Sequence, residues 1–183
     1  MNKNEIISKA AQLGFEYEKK YHGCSQCTVA AVQDALGIRN DLVFKAAGGL
    51  VAGIGRLCDG VCGGYSGGVI VMSMFFSRAR SKFDNDREMK NTSYKMACLL
   101  HKLFDQKYGS VICREIHMEL FGRTFDFCNP KDIEIFENMG AHKDKCTGVV
   151  RDASKWATSI ILDEMEERGL TLLDFKHLEY IEK

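Results

Sequence analysis

Four of the eight cysteines, Cys27, Cys62, Cys113 and Cys146, each fall in, or just before, the first turn of a stretch with helical periodicity. At that position unpaired backbone N–H groups and the positive end of the helix dipole favour the thiolate, which is both the nucleophile and the metal ligand. Four such helix starts meeting in space would make an electropositive pocket for sulfur. They are separated by 35, 51 and 33 positions, so only the fold can bring them together.

The other cysteines carry less. Cys24 forms Cys-x-x-Cys with Cys27, which suits a disulfide switch or half of a metal site, but the second such pair of a zinc ribbon is absent. Cys58 and Cys62 are four apart with Gly60 between them to break a helix, Cys98 in Met96–Leu100 reads as an inert core thiol, and Cys128 as a spare thiol in the loosest part of the chain. Among the histidines, His22 beside Gly23-Cys24 is the one candidate for lowering a thiol pKa or ligating metal, against a bland surface role. His101, His117, His142 and His177 fit solvated helix or loop positions. Tyr65 and Ser66 beside Cys62 read either as hydrogen-bond donors or as turn residues. Gly53-Ile54-Gly55-Arg56 is no dinucleotide fingerprint, since no strand precedes it and a third glycine is missing.

The stretch Ala46–Gly68 must position this chemistry. It holds nine of the seventeen glycines and two cysteines, and runs into the apolar segment Val69–Phe76. Glycine at this density lets backbones pass closely and holds a thiol in a confined site; close helix packing is the alternative reading. Around it, periodicity predicts a first helix ended by Gly23, a second carrying Val29, Val32 and Leu36 to Gly37, and a third from Asp41 through Ile54. An apolar helix follows, with Val69, Ile70, Met72 and Phe76 largely buried. Another runs from Arg87 to Tyr108 with Met89, Met96, Leu99, Leu100, Leu103 and Phe104 inward. A short helix is N-capped by Ser110, one starts at Asn129-Pro130, and a long one capped by Asp144 is ended by Gly169. The class is all-α: a single compact multi-helix domain with a buried glycine-rich, apolar central helix. Residues 1–168 read as the helical cysteine-rich redox domain, and 169–183 as an ambiguous C-terminal tail, docked or partner-binding.

At 183 residues the chain buries a sizeable core without disulfides. No apolar leader segment is evident, so the expected location is cytoplasmic and the cysteines are expected to be reduced. Lysine plus arginine and aspartate plus glutamate cancel at 25 each, which argues against a nucleic-acid surface. Val61–Phe76 is too short and glycine-rich for a membrane span.

The order of these elements resembles the C_GCAxxG_C_C family of redox-active proteins, related to a module of split-Soret cytochromes and defined by an early cysteine, a Cys-Gly-Ala-x-x-Gly motif and two later single cysteines. Cys27 looks like the early cysteine. Ala47-Gly48-Gly49 and Gly53-Ile54-Gly55-Arg56 look like the glycine run, and Cys62-Gly63-Gly64-Tyr65-Ser66-Gly67 like the central motif with Gly64 in place of alanine. Cys113 and Cys146 look like the third and fourth cysteines. The likeness covers residues 5 to 165 and implies redox activity of the four thiols, with Gly63 and Gly67 shaping the site by their backbone.

Three functions follow as expectations. The first is electron transfer through an iron–sulfur cluster held by Cys27, Cys62, Cys113 and Cys146, serving a redox partner protein or a small-molecule electron donor. The second is metal-free thiol/disulfide exchange by Cys24 and Cys27, or Cys27 and Cys62. The third is a binding module held by structural zinc through the same four thiols. The amphipathic helices and tail leave room for a homodimer.

Overall fold

The helices start in two different ways. In the computed structural model, which describes residues 1–182, α1 (Lys3–Tyr21) opens on a reciprocal cap between Asn2 and Glu5. The side chains of Asn40, Asp86 and Asn129 cap α3 (Asp41–Ala46), α5 (Arg87–Tyr108) and α7 (Pro130–Asn138). The alternate helices α2 (Cys24–Leu36), α4 (Gly63–Phe75), α6 (Cys113–Phe121) and α8 (Cys146–Glu167) have no side-chain cap. Left-handed Gly37 closes α2 where the sequence predicts, and left-handed Gly109 and Gly122 close α5 and α6.

Among the described residues there is no strand, and the class is all-α. Helix α8 packs on α1, α2, α4 and α5 and gives Val149, Ala153, Ala157, Ile160 and Ile161 to the main core, beside Met72, Phe76, Met96, Leu100 and Phe104. The first half of α4 is buried through Gly63, Gly64, Ser66, Gly67 and Gly68. A Cβ on Gly67 would lie under 3.0 Å from the Ser25 carbonyl oxygen, so only glycine lets α4 approach α2 this closely. A second apolar cluster gathers Phe121, Phe125, Phe136 and Ala141, with Phe127 and Cys146 against it.

Several expectations are corrected. The third helix stops at Ala46 and does not reach Ile54; after a 3-10 turn at Gly48–Leu50 the chain enters a loop in which Ala52, Gly53, Ile54, Gly55, Arg56 and Cys58 all have positive φ. Non-local backbone bonds hold it there: Cys113 N–H donates to Gly60 O (3.0 Å) and Arg114 N–H to Cys58 O (3.1 Å). Asp144 does not cap α8 but lies inside a π-helical turn, Ala141–Lys145. Ser110 does not cap α6, which begins at Cys113 after Ile112. Val69, Ile70, Met89 and Leu103 are half-buried and Leu99 is exposed, because the protein surrounds neither α4 nor α5 completely. Cys98, on the same outer face of α5, is also exposed rather than a core thiol. In the tail, Leu172–Leu178 forms a 3-10 helix whose buried Phe175 meets Phe75 and Phe76 edge-on at 5.3 Å. No helix among the described residues is long and apolar enough to cross a membrane.

Candidate functional site

The four helices without side-chain caps are the four that begin with cysteine. Cys24, Cys113 and Cys146 are the first residues of α2, α6 and α8, and Cys62 immediately precedes α4. An uncapped helix start leaves N–H groups seeking an acceptor, and at Cys24 and Cys62 sulfur takes that place. Gly64 and Tyr65 donate their N–H groups to the Cys62 sulfur, while Ser25 and Ala52 donate theirs to Cys24, the Ala52 bond at 3.5 Å.

All four thiols line one cavity of ≈ 390 Å³, whose walls include Ile116, Phe127, Phe136, Val149 and Val150. Arg56 also faces it, with its guanidinium over the Phe127 ring at 5.2 Å. Gly63 makes the closest approach possible: a Cβ there would collide with the Cys24 sulfur and lie 3.0 Å from Ser25 N.

Burial pushes the Cys24 and Cys146 thiols up, and negative charge on Glu18 and on the nearby sulfurs acts in the same direction. Burial likewise takes Cys62 up to about 11, against the two backbone donors. The protein alone therefore holds these sulfurs as thiols, and a cation among them would release their protons. Cys58 differs. A hydrogen bond from Cys113 holds it below the ordinary thiol value despite burial, with His117 assisting; the same bond raises Cys113, which keeps the shared proton.

His117 ties this side of the cavity together. Its Nδ1 lies 3.9 Å from Cys58 Sγ, and its Nε2 lies 3.6 Å from Cys113 Sγ and 4.0 Å from Cys146 Sγ. Cys58, Cys113 and His117 have donor atoms within 4.8 Å of one another, a grouping that can hold a metal ion. The imidazole is buried among Phe121, Phe125, Phe127 and Phe136, which corrects the solvated position expected for it. The signal was present in the sequence: Cys113-x-x-x-His117 on one helix places both side chains on one face.

The structure brings together Cys62, Cys113 and Cys146 with Cys24. Cys27 is not among the residues lining this cavity. It is buried on the other side of α2, its Sγ donating to His22 O at 3.2 Å, and it borders a separate groove with Tyr17, Gln26 and Asp34. Cys128 is exposed. Tyr65 and Ser66 direct their hydroxyls to Ala97 O and Gly63 O rather than to sulfur.

At the cavity mouth His22 stacks on His142, ring centroids 3.7 Å apart. Both oxygens of Glu137 lie 2.8 Å from His142 Nδ1, and Glu18 Oε1 lies 3.5 Å from Nε2. Burial opposes protonation of His142, but the two carboxylates outweigh it and raise its pKa. Nothing in the sequence flags Glu18, a charged residue on an amphipathic helix.

No curated protein and no solved structure is detectably similar to the chain. The family model described as Putative redox-active protein (C_GCAxxG_C_C) matches residues 22–160, well over half of the chain, and its span takes in all four helix starts that meet at the cavity; the chain belongs to that family.

Proposed function

We propose that the cavity is a redox centre in which Cys24, Cys62, Cys113 and Cys146 hold an iron–sulfur cluster. The observation that carries this reading is the delivery of four thiols, from four uncapped helix starts, into one cavity. Helix N-termini and Arg56 offset the negative charge that four thiolates would bring. The cavity volume exceeds what a single ion needs, whereas a structural zinc site is closed around its metal. Such a cluster supplies one-electron transfer. The chain's own residues fix the sulfur positions, exclude water with the Phe127, Phe136, Val149 and Val150 walls, and donate Gly64, Tyr65 and Ala52 N–H groups that favour the reduced, more negative state. The electron is exchanged with a redox partner protein or a small-molecule donor.

A second reading rests on the contact between Cys58 and Cys113. Two adjacent thiols can be oxidised to a disulfide while a substrate disulfide is reduced, with two electrons and two protons passing between them. Anaerobic purification, followed by a visible spectrum and iron, zinc and acid-labile sulfide analysis of the same sample, separates these readings. Iron and sulfide should be present, lost in Cys62→Ser and retained in Cys98→Ser. Equal loss in both variants overturns the assignment of the site. Zinc without sulfide makes the centre structural, and protein free of both metals, prepared under conditions that preserve clusters, leaves the dithiol.

A further inference from the structure

Three unusual features meet at the mouth of the cavity. His22 has φ 60 and ψ 172, backbone that is essentially reserved to glycine and costs a side-chain-bearing residue about 1–3 kcal/mol. His142 sits in the π-helical turn Ala141–Lys145, a conformation that is rare and found frequently at functional sites. Glu18 is only 3% exposed and lines the cavity; no donor lies at bonding distance of its Oε2, and the Cys27 thiol faces the carboxylate from α2. A buried carboxylate oxygen without a partner is costly, and here it lies behind two imidazoles that need no such arrangement to cap a helix or fill a core.

We propose that His22, Glu137 and His142 form a second metal site, separate from the thiols, for a single divalent transition ion. Donor atoms of the three lie within 4.8 Å of one another. The His22 and His142 rings are stacked with planes 11° apart, so the exposed His22 ring must turn about its side-chain bonds to aim its in-plane lone pair at the ion. Two imidazoles and a carboxylate suit ferrous iron, zinc, cobalt or manganese and disfavour soft cuprous ion. His142 binds through Nδ1, and Glu18, 3.5 Å from Nε2 on the buried side, accepts that nitrogen's proton and fixes the ring. A ligating histidine is ordinarily held by a carboxylate in this way. Entry of the ion displaces the proton that His142 Nδ1 shares with Glu137, one proton for each ion bound. Three protein donors leave coordination positions open for water or a small oxygen- or nitrogen-bearing ligand. The site rests on His22, Glu18, Glu137 and His142 alone and does not require that the thiols hold a cluster.

The test is titration of the chelator-treated, reduced chain with Co²⁺, carried out in a Cys62→Ser, Cys113→Ser background in which neither the four-thiol centre nor the Cys58–Cys113–His117 group is intact. One equivalent should bind with weak visible bands and no sulfur-to-cobalt charge transfer. Glu137→Gln and His22→Ala alter exposed side chains and should fold, as circular dichroism will verify; each should weaken binding at least tenfold. Glu18→Gln should weaken it by about 10–100-fold, the usual effect of losing an outer-shell partner. Unchanged affinity in Glu137→Gln and His22→Ala overturns the site, as does absence of any Co²⁺ binding in the double-serine background. Loss of iron in Cys62→Ser with Co²⁺ binding intact would separate this site from the thiol centre.

Discussion

Replacing Gly63 with alanine places a methyl group under 3.0 Å from the Cys24 sulfur and 3.0 Å from the Ser25 backbone nitrogen. Ordinary contact is about 3.6 Å, so the sulfur must retreat by at least about 0.6 Å. Metal–ligand distances tolerate about 0.2 Å, and the required shift is three times that. The backbone contact at Ser25 prevents α4 from moving to compensate. Overpacking of this kind costs about 1–3 kcal/mol, which for a chain of this size lowers Tm by about 2–12 °C. The fold should survive while the centre is lost. Metal-free thermal melts and iron per chain after anaerobic purification measure the two effects separately. Gly67→Ala presses instead on the Ser25 carbonyl oxygen, backbone against backbone, and should destabilise the fold itself. Gly49→Ala meets open space and serves as the control. A Gly63→Ala protein with full iron content and an unaltered spectrum would refute the argument that Cys24 is a donor held against Gly63.

Cys24→Ser should abolish iron binding and Cys27→Ser should retain it, because only the first thiol lines the cavity; the reverse pattern in metal analysis would return the early donor to Cys27. Truncating Phe175, which is 7% exposed, should cost about 3–5 kcal/mol, and an unchanged melting temperature in Phe175→Ala would show that the tail adds nothing to stability. The pKa of His142 is raised in the folded protein, so the folded state binds its proton more tightly than the unfolded state does. That contribution is complete below the unfolded value of 6.5 and is lost as pH rises through the folded value. Urea unfolding of metal-free wild type and His142→Asn across this range should converge as pH rises; parallel curves would exclude the linkage.

The helical class and most helix ends were legible because local chemistry sets them. Gly37, Gly109 and Gly122 adopt the left-handed conformation that stops a helix, and Asn129-Pro130 starts one. The stretch after Ala46 misled because its apolar residues recur at helical steps, while its course is fixed by backbone partners fifty residues away at Cys113 and Arg114. The site was half legible for the same reason. Residue type and helix position singled out Cys62, Cys113 and Cys146, but spacing within Cys24-x-x-Cys27 does not say which thiol faces inward. That depends on α4, which brings Gly63 against Cys24. His117 was legible in its four-residue spacing from Cys113, whereas Glu18 became visible only when folding buried it against the cavity.

The loop over the cavity separates two properties of the centre. Ala52, Ile54, Arg56 and Cys58 have positive φ without being glycine, at about 1–2 kcal/mol each. Their sum, about 4–8 kcal/mol, approaches the entire stability of an ordinary domain, about 5–15 kcal/mol. Strain of this kind lowers the cost of local opening, and opening would move Val51, Ala52 and Arg56 away from the cavity they line. On the proposed reading, the four helix ends would set how tightly a cluster is held. The mirror-handed loop sets how long it takes to arrive and to leave, so substitutions there change the half-life of loading far more than its equilibrium.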